Sequence, residues 1–123
     1  MAAMNNKTII ILLFLALVSH CYSQCQLSDL RIEQKPTGVK VQGKQEWQVS
    51  ITANCPCTFS NVILNCSGFQ TVEPVDPSIL RVQGQNGLLA NGNAVSRSNP
   101  VTFRYARDTS FSFKLVNAQI TCS

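Results

Sequence analysis

From Leu30 onward the chain alternates apolar and polar residues in short runs. Leu30 and Ile32 alternate with Arg31 and Glu33, and Val39 and Val41 with Lys40 and Gln42. Trp47, Val49, Ile51 and Ala53 are separated by Gln48, Ser50 and Thr52. Val62, Leu64 and Cys66 continue the pattern, as do Val101, Phe103 and Tyr105. Phe111, Phe113 and Leu115 form another run, and Ile120 with Cys122 a last short one. A period of two sends one set of side chains inward and the other into water, so each run predicts a half-buried strand. Turn residues punctuate the runs: Pro36-Thr37-Gly38, Gly43, Ser67-Gly68, Asn86-Gly87, Asn91-Gly92 and Asn99-Pro100. Pro74 and Pro77 make Val72–Ser78 an edge or a loop. Ser78 to Val82 reads as a strand or one helical turn. No sustained helical stripe is present. Short strands with frequent turns predict an all-β fold, a small antiparallel β-sandwich stapled by disulfide bridges, with a barrel as the alternative.

The first residues follow another pattern. Lys7 and Thr8 precede an unbroken apolar run from Ile9 to Val18, and Ser19 to Ser23 are mostly small or polar. This reads as a secretory signal peptide over 1–23, cleaved after Ser23 to leave a domain over 24–123. The run is too short to span a bilayer, which takes about 20 apolar residues. Cleavage changes the inventory. It leaves 100 residues and removes the single histidine, His20, and one of 6 cysteines, Cys21. A mature chain without histidine has no Ser-His-Asp or Cys-His nucleophile and no imidazole metal ligand. No Gly-rich phosphate loop and no Asp-x-Asp pair for a metal-bound nucleotide sugar is present. The formal charge of +4 is small and scattered, which argues against a nucleic-acid partner. The composition thus predicts no enzyme, no cofactor and no membrane association after cleavage.

Five cysteines remain: Cys25, Cys55, Cys57, Cys66 and Cys122. All are disulfide candidates in an oxidising compartment, and no metal is expected, since Cys55-Pro56-Cys57 lacks the two-residue gap of a metal knuckle. Cys55 and Cys57 would close too small a ring together, so each should reach a different strand. A bridge to Cys25 or Cys122 would pin a chain end. Five thiols leave one unpaired, which either stays buried or links two chains as a disulfide dimer. Trp47, Phe103, Tyr105, Phe111 and Phe113 fall on inward phases and are expected in the core. The acids Asp29, Glu33, Glu46, Glu73, Asp76 and Asp108 form no motif and are taken as surface groups. Arg97, Arg104 and Arg107 with Lys40 and Lys44 are candidates for a basic patch. Asn65-Cys66-Ser67 fits the N-glycosylation sequon, although a middle cysteine that must also pair argues against its use.

Several stretches carry a resemblance. They are Cys25 to Leu30, Thr37-Gly38, Gly43 through Val49, Asn54-Cys55-Pro56-Cys57, Leu64 to Gln70, Phe103-Arg104-Tyr105-Ala106 and the terminal Cys122-Ser123. In this ordered set the chain resembles the TAPETUM DETERMINANT-like family of small secreted plant proteins. The resemblance implies a cysteine-stabilised extracellular domain. It also implies a signalling ligand for a leucine-rich-repeat receptor kinase, acting in the apoplast in cell-fate specification of the anther and tapetum type. Relatives usually carry a sixth cysteine opening a Cys-Leu-x-Asn-x-Gly stretch. Here that stretch is Gly87-Leu88-Leu89-Ala90-Asn91-Gly92, so Gly87 stands in the place of a cysteine. By this resemblance, the unpaired thiol is the one that would have met that cysteine. The loop from Gln85 to Asn99 is the expected receptor contact, through exposed Leu88 and Leu89 with Asn91 and Arg97. The alternative is an extracellular cell-wall or carbohydrate-binding module, which requires an exposed row of aromatic rings.

Overall fold

The structure, a computed structural model, describes residues 25–122. The signal segment, Cys21 and the Gln24 start lie outside the described residues.

Among the described residues, seven strands form two antiparallel sheets. Strands β1 (Leu30–Val41), β2 (Lys44–Ala53) and β6 (Val101–Ala106) make the first, in the order β1-β2-β6. Strands β3 (Thr58–Asn65), β4 (Leu80–Gln83), β5 (Asn86–Leu89) and β7 (Lys114–Thr121) make the second, in the order β4-β5-β3-β7. The chain crosses between sheets after β2, after β5 and after β6. One core joins their inner faces: Val49, Ile51, Phe103 and Tyr105 from the first, Phe59, Val62, Leu64 and Leu89 from the second. This is the β-sandwich that the period of two predicts.

The alternation is clearest in β2, where Val49, Ile51 and Ala53 are buried and Gln48, Ser50 and Thr52 are not. Trp47 keeps the same phase but is only half-buried, and its indole Nε1 donates to the Arg107 carbonyl at 3.1 Å. Tyr105 is fully buried, and its hydroxyl donates to Gln34 Oε1 at 2.5 Å and accepts from the Phe111 amide at 2.7 Å. Gln34 Nε2 in turn donates to the Phe111 carbonyl. This three-membered ring satisfies a phenol that burial would otherwise penalise. It also ties the 107–113 segment to β1. Phe69, Tyr105, Phe111 and Phe113 pack edge-on or tilted, with neighbouring centroids 4.8–5.7 Å apart.

The structure corrects several sequence expectations. Pro36-Thr37-Gly38 does not separate two strands: β1 runs through it, with a register shift between Pro36 and Lys40 and Gly38 at φ 86. A left-handed glycine lets the strand absorb the irregularity without ending. The reversal comes at Gln42-Gly43, with φ of 50 and 79, a two-residue hairpin turn. Phe111 and Phe113 are not strand residues. They lie in the connection before β7, placed by Tyr105, while Leu115 and Ile120 belong to one continuous strand. Asn86-Gly87 is not a turn either. The reversal lies at Gly84-Gln85, and Asn86 already pairs with Gln83 in β4. Ser78 to Val82 is both of the forms expected: a turn with the Ile79 and Leu80 amides on the Asp76 carbonyl, then β4.

Candidate functional site

The covalent framework lies at one end. Cys25 bridges to Cys55 and Cys57 to Cys122. Cys55-Pro56-Cys57 therefore acts as a clasp, holding the entry to β1 with one cysteine and the exit of β7 with the other. The sulfurs of Cys25, Cys57 and Cys122 lie within 4.8 Å of one another, so the two bridges stack. Cys25, Cys55 and Asp29 also cluster, but every sulfur here is bonded to another sulfur and offers no thiolate to a metal.

Cys66 is the cysteine that the odd set of five leaves without a bridge. Its thiol is 2% exposed and lies over Gly87 of β5. A β-carbon placed on Gly87 would sit 2.6 Å from the Cys66 sulfur. The residue facing the thiol is thus Gly87, the position where the resemblance implies a sixth cysteine, and Cys66 is the thiol left over. Burial pushes its pKa up to about 11, so the reactive thiolate is scarce at neutral pH. A sulfur this enclosed cannot reach a second chain without opening the sheet, which argues against a dimer linked through it.

The Gln85–Asn99 segment is not the open loop that its turn residues imply. Its first part is β5, paired with β3 and β4. Leu89 is fully buried and Leu88 half-buried, so the expected exposed leucine pair does not exist. Strand alternation puts Leu89 in the core beside Leu80, its partner in register. The remainder is held by Val95, fully buried and paired with Phe59 through bonds of 2.8 and 2.6 Å. Beyond it, Ser96 and Asn99 exchange two backbone hydrogen bonds of 3.2 Å, and Asn99 Nδ2 donates to the Ala94 carbonyl. Arg97 stands exposed at the tip of this tight turn. Asn91 is exposed as well, in a kink where Ala90 and Asn91 both take left-handed backbone, φ 52 and 55. Asparagine accepts that region readily, whereas alanine is strained there.

The five cations do not all gather into one patch, although Lys40, opposite Gln45 in register, lies at the same end of the first sheet as Lys44 and Arg107, whose amide bonds the Gln45 carbonyl. Lys44 opens β2 and pairs with Asp108 at 2.9 Å. It borders an open groove of about 650 Å³ with Arg107 and the Gln70–Val72 strap. Arg97 precedes the opposite end of β6, because Ala106 pairs with Glu46 and Val101 with Ile51. Arg104 lies between, on the outer face of the first sheet beside Gln48.

One acid pair was not legible in the sequence. Glu46 is buried at 6% exposure on the outer side of β2, and Thr37 Oγ1 donates to its Oε1 at 2.7 Å. The Thr71–Glu73 strap covers it, bonded to the free edge of β6 through Val72 N to the Ala106 carbonyl and Ala106 N to Thr71 Oγ1. The Glu73 carboxyl lies beside Glu46, so that when protonated it can donate to it, and its Oε1 is buried with no other partner. The hydrogen bond from Thr37, then that with Glu73, holds the Glu46 carboxyl below its usual range. Burial, then donation to Glu46 and the Glu46 charge, raises that of Glu73.

No aromatic side chain among the described residues is exposed. Phe103, Tyr105 and Phe113 are buried, and Trp47 and Phe111 pack against the core.

Small two-sheet domains with clasped termini form a broad class, and the family model narrows it. The model for Tapetum determinant 1, C-terminal, matches residues 26–123. The chain belongs to this family, a tapetum-determinant type of developmental protein. No curated protein matches the chain, and no solved structure does.

Proposed function

We propose that the chain is a secreted signalling ligand. It acts in the apoplast by binding the ectodomain of a leucine-rich-repeat receptor kinase, in cell-fate specification of the tapetum type, and performs no chemistry itself. The observation that carries this reading is the family match over 26–123. Two disulfides suit an oxidising route, and among the described residues no helix is long and apolar enough to cross a membrane. A rigid sandwich that presents Arg97 on a doubly bonded turn, with Asn91 on the same connection, suits recognition by a loop on a fixed scaffold. The contact surface is therefore this part of the connection, without Leu88 and Leu89.

The test is a binding screen of the protein against receptor-kinase ectodomains. One ectodomain should bind, and Arg97→Glu should weaken it at least tenfold, about 1.4 kcal/mol. Retention on wall polysaccharide with no ectodomain bound would instead favour the carbohydrate module, a reading that the lack of an exposed aromatic platform among the described residues disfavours.

A further inference from the structure

We infer that Asn65 carries an N-linked glycan that covers the outer face of the second sheet. The inference rests on the reading of the chain as secreted. Three observations lead to it. First, the middle residue of Asn65-Cys66-Ser67 is not committed to a bridge: Cys66 is free, and Gly87 faces its sulfur. The competition that argued against this sequon is therefore missing. Second, Asn65 is exposed at the end of β3, and its Oδ1 accepts the Ser67 amide at 2.9 Å. This local turn brings the side-chain amide and residue 67 together. It spans only two residues, so it forms without the rest of the fold, as a modification made on the nascent chain requires. The bond uses the amide oxygen and leaves the nitrogen available.

Third, the position has a use for a glycan. Ile63 lies two residues back on the same face, and Leu88 stands opposite it in register. Both are half-buried apolar side chains on a face that turns away from the core. The cross-strand neighbours of Asn65 are Asn86 and Lys114, polar residues that leave it open to solvent. A glycan anchored here lies over the Ile63–Leu88 pair and hides it from water. It also leaves the Arg97 turn, on a separate connection, free for a partner.

The donor is an oligosaccharide carried on a lipid diphosphate, the reagent of N-glycosylation. The Asn65 nitrogen attacks the anomeric carbon, and a carbon–nitrogen bond forms. The bond from that carbon to the diphosphate oxygen breaks, the oxygen leaves with the electron pair, and the amide gives up one proton. Nothing is oxidised or reduced.

The test is expression of the full chain in plant cells, with peptide mass spectrometry of protein from the medium. The Asn65 peptide should carry hexose and N-acetylhexosamine, and an amidase that cleaves the glycosylamine should leave an aspartate at that position. Asn65→Gln and Ser67→Ala should each abolish the glycan, and Ser67→Thr should keep it. Protein in the medium with the Asn65 peptide unmodified would overturn this inference alone and leave secretion standing. A chain that stays in the cytosol would overturn both.

Discussion

The two ends of the cysteine set solve one problem in different ways. At Cys55-Pro56-Cys57, two covalent bridges fasten both chain ends to a single tripeptide. At Cys66, β3 and β5 are held by their hydrogen bonds and by packing, without a bridge, and a buried thiol rests on a glycine. At the first end the termini would otherwise fray, and no packing can hold them as well as a bond. At the second, the strands are already central in a hydrogen-bonded sheet, and a well-filled contact suffices. The lesson is that a bridge is hardest to replace where the chain is least paired.

The largest expected effect comes from breaking the clasp. Replacing Cys57 and Cys122 together by serine should cost about 2–5 kcal/mol, because it frees the end of β7 and enlarges the unfolded ensemble. Equilibrium denaturation measures this, and a loss below the scatter of ordinary surface variants would show that the bridge is dispensable. Next comes conversion of the second end into the first. Gly87→Cys should close a bridge to Cys66, with a gain of about 2–4 kcal/mol less the shift that Leu80 must make, since its Cδ1 lies 2.9 Å from the new β-carbon. Thiol titration in denaturant should fall from one thiol per chain to none. Gly87→Ala places the same carbon without the bond and should cost about 1–3 kcal/mol from overpacking. Two substitutions that share a β-carbon should thus move the melting temperature in opposite directions, and movement in one direction would refute the assignment of Cys66 as the leftover thiol.

The smallest effect concerns a contact held neither by a bridge nor by apolar packing. Glu73 has a raised folded pKa, so its stabilising contribution is complete below the ordinary carboxylate range and is lost as pH rises through the raised value. Glu46 has a lowered folded pKa, so its contribution is present above the ordinary range and is lost as pH falls through the lowered value. Glu73→Gln keeps a neutral donor beside Glu46 and removes the loss on the alkaline side. The variant should melt above the parent at neutral pH, and the gap should close toward acid. Parallel melting profiles across that range would mean that the strap does not feel the charge.

The sandwich was legible because strand alternation is a local signal. Val49, Ile51 and Ala53 needed no partner to declare their face. The separate reach of Cys55 and Cys57 followed from ring size, and it holds. What failed depended on distant residues. Asn86-Gly87 has the composition of a turn, but pairing with β4 and the Cys66 sulfur above Gly87 make it strand. The turn residues around Leu89 suggest a loop and an exposed side chain, but the core side of β5 claims it. Glu46 sits on the outward phase and so reads as solvated. Only the strap from Thr71 to Glu73, far along the chain, buries it. The Phe111–Phe113 run has the right period for a strand, yet the phenol of Tyr105 and the amide of Gln34 fix Phe111 in a connection instead.

The bond from Trp47 to the Arg107 carbonyl gives the molecule its own optical reporter. The chain has a single tryptophan, so its emission reads one place without ambiguity. That indole is half-buried and rests on the segment that crosses from β6 to β7. Its colour will shift to the red when this crossing lifts away and water reaches the ring, with no label attached. The crossing can therefore be watched in real time during refolding, or while a partner docks, independently of chemistry at any of the sulfurs.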